Sequence, residues 1–245
     1  MSIISRSLKL RRELRDMDNT NLEMLHTVAR ALGDLCERCV FVGGTTVEFF
    51  GTDPGAPASH PTKDVDCIFE IVTRNELYRL EESLRAKGFA NDRSEGAPIC
   101  RWIYEEIKVD VMPTDPKYLG FSNQWHKEGA QHAVHHTLND GLKIRILNAV
   151  YFLASKLEAM KQRGMHDLRI STDFDDIVFV VRNRPTIADE ILKSDKAVKE
   201  YICLSFDDLL KMDILDEAIS AVLSSGEPAG TAQKVKQKIE SIARN

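Results

Sequence analysis

Three stretches of the chain hold residue types that can act together on a phosphorylated substrate. The first is the apolar run Cys39-Val40-Phe41-Val42, which ends in Gly43-Gly44 and passes into a short helical stretch, Thr45-Thr46-Val47-Glu48-Phe49-Phe50. A glycine pair ahead of a helix start leaves backbone N–H groups free to face an anion, and the helix dipole favours negative charge there. The second is Asp64-Val65-Asp66, opening another apolar run. Two carboxylates at i and i+2 on a strand project from the same face and can hold a divalent cation between them. The third is Asp110, a polar residue between Val109 and Val111. If its strand neighbours the first two carboxylates, three acidic groups converge, and protonation or a cation must relieve their repulsion. Two Mg²⁺ ions bridged by aspartates and triphosphate oxygens meet that need. One would lower the pKa of an attacking hydroxyl and the other would stabilise leaving pyrophosphate. A phosphate cradle and a metal pair together suit work on a nucleoside triphosphate.

A second group of candidates follows in the C-terminal half. Lys156 stands one helical step from the apolar stripe of Leu153 and Leu157, within reach of a triphosphate. Arg163, seven residues on, aligns with it two turns along the same face. Asp173, Asp175 and Asp176 fall in the first turn of a later helix, where the dipole favours acids in any case. Asp176, with Ile177 and Val180 nearby, can instead turn inward to orient Lys156 or act as a base.

Other patterns have plainer explanations. Cys36-x-x-Cys39 has redox or zinc spacing, but a zinc site needs about four ligands and no second pair accompanies it. The five cysteines read as buried thiols. His132, His135 and His136 resemble a metal cluster, yet on a strand His132 and His135 would face opposite ways. Arg6, Lys9, Arg11, Arg12 and Arg15 make a basic N-terminal arm, either solvated or a contact for a polyanion such as RNA.

The elements that must position these groups are legible in outline. A stripe of Leu22, Leu25, Val28, Leu32 and Leu35 predicts a helix to about Cys36, capped from Asn19-Thr20. The stretch 51–62, with three prolines and two glycines, is a loop. Thr73-x-x-Glu76 is a capping-box pattern that opens a helix running to Lys87 and stopped by Gly88. Residues 99–104 and 107–112 form a hairpin around Glu105-Glu106, and 132–138 with 142–146 a second around Asn139-Asp140-Gly141. From Asn148 the period becomes helical. One helix runs to Gly164, another is capped by Ser171 or Thr172 and ended by Pro185, and helices continue over 187–243 with a break at 224–230. The expected fold is therefore α+β: a mixed-sheet core over 1–147, then an all-helical half over 148–245 that completes a nucleotide cleft.

With 245 residues, 43% of them hydrophobic and 29% charged, the chain can bury a substantial core. No apolar run approaches a membrane span. The N-terminus has no apolar stretch typical of a secretory signal, so the expected location is the cytoplasm. A net charge of −5 argues against a surface that coats nucleic acid uniformly, although a local basic face remains compatible with it.

The order apolar-Gly-Gly, Asp-x-Asp, apolar-Asp-apolar resembles the nucleotidyltransferase superfamily built on the DNA polymerase β palm. The later block narrows the likeness. Lys156-Leu157-Glu158-Ala159, Arg163-Gly164, Asp167 and Ser171-Thr172-Asp173-Phe174-Asp175-Asp176 look like the pattern of AbiEii/MenT-type nucleotidyltransferases. The resemblance spans roughly 38–183. It implies Gly43 and Gly44, helped by the hydroxyl of Thr45 or Thr46, as the triphosphate motif, with Lys156 and Arg163 as further nucleotide contacts. It implies Asp64, Asp66 and Asp110 as ligands of two Mg²⁺ ions, with Lys156 and Asp176 assisting catalysis. Some members of that group are toxins of toxin–antitoxin systems, and some attach nucleotides to tRNA 3′ ends. The implied reaction transfers a nucleoside monophosphate to an acceptor hydroxyl with release of pyrophosphate. The acceptor stays open between a tRNA 3′ end, a protein hydroxyl and a small molecule, and an antitoxin protein is an implied partner. The alternative is a non-catalytic nucleotide-binding or antitoxin-partnered regulatory module, for which a damaged triad would be expected; here the three acids are intact. Nineteen residues separate Gly44 from Asp64, more than in minimal members, and the 51–62 loop absorbs the excess.

Overall fold

The computed structural model describes residues 21–52, 59–120, 123–165, 167–223 and 227–244. The basic arm and the Asn19-Thr20 cap lie outside them.

Residues 21–32 form helix α1, whose stripe of Leu25, Val28 and Leu32 is fully buried. The α form ends sooner than the periodicity predicts. Gly33 takes a left-handed φ of 55°, and a 3₁₀ stretch Gly33–Arg38 carries the chain into strand β1 (Cys39–Val42). All four β1 residues are buried, as a central strand requires. A 3₁₀ helix, Gly44–Phe50, follows.

Strand β2 (Asp64–Phe69) pairs antiparallel with β1. Helix α2 (Arg74–Ala86) starts in a complete capping box, with Thr73 accepting from the Glu76 N–H and Glu76 accepting from the Thr73 N–H. That helix is the crossover that lets β5 (Ile107–Pro113) lie parallel to β2. Between them come the short β3 (Ala90–Asn91) and β4 (Arg101–Tyr104), and β4 turns into β5 through Glu105, at a φ of 51°. Strands β6 (Val134–Thr137) and β7 (Lys143–Ile146) form the second hairpin, and β7 runs parallel to β1. The result is a seven-stranded mixed sheet of order β3-β4-β5-β2-β1-β7-β6.

One helix was not anticipated. Residues His126–Gln131 form α3, so the second hairpin begins at Val134 rather than at His132. Gly129 reads as a helix breaker, but a Cβ there would come within 2.8 Å of Leu147 and 3.1 Å of Tyr151. Glycine is present because α3 packs closely on the helix beyond. This also disperses the three histidines. His132 ends α3 and stacks on Tyr151 at 5.0 Å, while His136 lies against Phe49 at 4.1 Å.

Helix α4 (Ala149–Gln162) is capped by Asn148, and α5 (Thr172–Asn183) by Ser171. Helices α6 (Ile187–Leu192), α7 (Lys196–Leu210), α8 (Leu215–Val222) and α9 (Thr231–Ala243) complete the chain. The fold is thus α+β, a mixed sheet followed by helices. The two halves share one continuous core running from Leu25 to Ile242, with Phe50 against Phe152 at a ring distance of 4.4 Å. All five cysteines are buried free thiols. Among the described residues no helix is long and apolar enough to cross a membrane.

Candidate active site

Register alone brings the acids together. Asp66 on β2 is the cross-strand partner of Asp110 on β5, and Asp64 shares their face two residues earlier. Val42 pairs with Asp66, so the chain leaving β1 sets Gly43 against that carboxylate. Gly43 adopts φ 74° and ψ −169°, a region open essentially to glycine alone. A Cβ at this position would stand 2.1 Å from the Asp66 Oδ2. Gly43→Ala is therefore expected to force Asp66 out of place, costing about 1–3 kcal/mol of stability, which thermal melts check.

A residue that the sequence did not single out dominates this face. Arg101 on β4 is the antiparallel partner of Asp110. Its Nε lies 2.8 Å from the Asp110 Oδ1 and its Nη2 2.7 Å from the Asp110 Oδ2; the same Nη2 reaches across β5 to the Asp64 Oδ2 at 2.8 Å. These bonds hold the guanidinium firmly protonated. Asp66, by contrast, has no ion-pair partner among the described residues. Burial first, then the charges of Asp64 and Asp110, push its carboxyl up to about 7.

Facing the sheet, α4 supplies the cations Lys156 and, at its C-cap, Arg163, and α5 supplies the acids that hold them. The Lys156 Nζ lies 2.6 Å from the Asp176 Oδ2 and 3.2 Å from the Asp173 Oδ1, and Arg163 also pairs with Asp173. Asp173 and Asp176 are three residues apart on one helical face. Asp175, off that face, turns instead towards His60 at 3.6 Å. Burial alone would lower the pKa of Lys156, but Asp176 and Asp173 reverse the sign and the ammonium is retained. The pKa of Asp176 is nevertheless raised, by burial above all and then by the neighbouring charge of Asp173, against the pull of Lys156.

Between the two walls is a cavity of about 260 Å³. Gly43, Asp66 and Asp110 line one side and Lys156, Arg163 and Asp173 another. Five of the ten residues predicted for the site therefore meet in it. Asp176 is one ion pair removed from it, through Lys156, and Asp64 two, through Arg101 and Asp110. Gly44 sits between Thr62 and Asp176, where an added Cβ would approach them at 3.3 and 3.7 Å. The threonines stand apart from the cavity lining. The buried Thr46 hydroxyl donates to the Gly43 carbonyl at 2.9 Å, and the Thr45 hydroxyl is buried with no hydrogen-bond partner among the described residues.

His126 on α3 also lines the cavity, and burial depresses its pKa to about 4. The folded protein thus keeps it neutral where the unfolded chain, with an ordinary value near 6.5, binds a proton. Its contribution to stability is present above pH 6.5 and is lost as pH falls towards 4, at up to ~1.4 kcal/mol per pH unit. His126→Gln is expected to flatten that part of the denaturation-versus-pH profile, and an unchanged slope would assign the acid sensitivity elsewhere.

Among the described residues no group of three or more His, Cys, Asp or Glu side chains is already arranged around one point to hold a metal ion. Arg101 draws the oxygens of Asp64 and Asp110 to itself. The donor set nevertheless fits a hard divalent cation: it is anionic and all-oxygen, with one carboxylate left unpaired. No protein-family model matches this chain, and no curated protein matches it significantly.

Proposed function

We propose that this protein is a divalent-cation-dependent nucleotidyltransferase that moves a nucleoside monophosphate from a nucleoside triphosphate to an acceptor hydroxyl. One observation carries the reading. Two carboxylates from adjacent parallel strands, Asp66 and Asp110, with Asp64 tied to Asp110 through Arg101, face across a cavity of about 260 Å³ a lysine and an arginine held by their own acids.

The roles follow from the charges. Lys156, fixed between Asp173 and Asp176, presents an ammonium of set position to the phosphates, and Arg163, largely exposed and paired with Asp173, adds a guanidinium fork. The Gly43–Gly44 turn leaves room beside Asp66 that a side chain would fill. Asp64, Asp66 and Asp110 would hold two Mg²⁺ ions, which when bound lower the pKa of the acceptor hydroxyl and neutralise charge on the leaving pyrophosphate. In the transfer, the acceptor oxygen bonds the α-phosphorus, the bond from that phosphorus to the β-bridging oxygen breaks, and the hydroxyl proton is taken up by a triad carboxylate or by solvent. A toxin role with an antitoxin partner, and a tRNA 3′ end as acceptor, belong to the same proposal and rest on the resemblance alone.

Incubation with each α-labelled nucleoside triphosphate, Mg²⁺, and total tRNA and protein extracts tests the reading. Label transferred to one fraction identifies the acceptor class. Triphosphate binding with no label transferred and no pyrophosphate released would sink it in favour of a non-catalytic nucleotide-binding module.

A further inference from the structure

We propose that Arg101 is a resident counter-ion that competes with divalent cations for the carboxylates of Asp64 and Asp110, so that cation loading requires release of its guanidinium. The inference rests on the assignment of the three acids as a cation site, and it adds a residue and a regulatory step to that assignment.

The geometry is specific. Arg101 is held by three hydrogen bonds of 2.7–2.8 Å to three of the four oxygens of Asp64 and Asp110. Those two strands flank each other, with β4 on the far side of β5, so the side chain must cross a strand to bridge them. Its own side chain is 17% exposed and that of Asp110 12%. A cation bridging the same acids needs those same oxygens, and two positive groups cannot share them without repulsion. Asp66 is left outside the clamp. The three acids and Arg101 together carry a charge deficit that a second cation is suited to fill, and Lys156 and Arg163 are already engaged by Asp173 and Asp176.

The arrangement has a consequence for order of binding. With the guanidinium in place, an ion arriving alone finds one unpaired carboxylate. An ion arriving with an anionic triphosphate brings a new partner for the released guanidinium, so the site discriminates against cation without substrate.

Mn²⁺ binding to the nucleotide-free protein, followed by electron paramagnetic resonance and by titration calorimetry, tests this without any turnover. The wild-type chain is expected to bind Mn²⁺ weakly. Arg101→Met removes the competitor and should tighten binding at least tenfold. Arg101→Lys keeps the charge but loses the two-pronged fork, and should lie between the two. Because Arg101→Met leaves acids uncompensated, circular dichroism must first show it folded; if it is not, Arg101→Lys carries the test, with tightening of a few-fold expected. Asp110→Asn in the Arg101→Met background should abolish the gain, which localises it to the oxygens that Arg101 holds. Equal or weaker Mn²⁺ affinity in the folded variants, or no Mn²⁺ binding in any of them, overturns the proposal. A protein that transfers nucleotides yet binds Mn²⁺ identically with and without Arg101 would keep its proposed function and lose this inference; tightened Mn²⁺ binding without turnover would do the reverse.

Discussion

Lys156→Met is expected to destabilise the protein by roughly 3–5 kcal/mol, the cost of removing one partner from a buried ion pair. Lys156, Asp173 and Asp176 are 9%, 3% and 6% exposed. Methionine nearly matches the lysine stem in volume, so cavity formation contributes little, and the loss is electrostatic. Asp176 loses its partner outright, whereas Asp173 keeps Arg163. Adding Asp176→Asn should therefore recover a large part of the deficit, a coupling that a double-mutant cycle reads directly. The deficit should also shrink at low pH. Asp176 already has a raised pKa through burial, and protonation removes the charge that methionine leaves unpaired. The full cost thus appears at neutral pH and fades as pH falls through the folded-state value. A loss under 1 kcal/mol, independent of both pH and residue 176, would show that Lys156 and its two acids contribute no more than a surface pair.

Asp66→Asn should have the opposite profile. It is expected to reduce pyrophosphate release by roughly three orders of magnitude, comparable to losing a principal transition-state contact, while leaving the melting temperature equal or higher. Asp66 is the acid of the sheet face with no ion-pair partner among the described residues, and its neighbours Asp64 and Asp110 repel its charge. Asparagine keeps the shape and removes the repulsion. A melting temperature several degrees lower would make Asp66 a structural acid, and unchanged turnover would remove the catalytic reading of the triad. The stability–activity contrast between positions 66 and 156 separates a group that waits for a ligand from one that already has its partners.

Much of this site was legible because its signals are local. Strand alternation puts Asp64 and Asp66 on one face and marks Asp110 as an acid among valines. The capping box at Thr73, the cap at Ser171 and the two hairpin turns likewise depend on a few adjacent residues. Arg101 was missed although a signal existed: a two-residue turn at Glu105-Glu106 puts residue 101 opposite 110. A lone arginine on a half-exposed strand has an ordinary explanation until the register is followed. Asp173 was passed over for a similar reason, since an acid in a first helical turn is already explained by the dipole. Helix α3 is too short for a period to show, and Gly129 within it records contact with Leu147 and Tyr151, information that no neighbouring residue in sequence holds.

The sequence by itself determined which faces carry charge and where most of the longer elements lie, because periodicity, caps and turns act over a few residues. Tertiary structure decided which charges meet. The crossover through α2 lays β5 beside β2 and so pairs Asp66 with Asp110. The docking of α4 and α5 buries Lys156 with two acids chosen from three. The length of Arg101 lets it span β5 and occupy oxygens that the spacing of the acids alone would leave to a cation. Coulomb energies depend on separations of a few ångströms and on burial, and neither is set by distance along the chain.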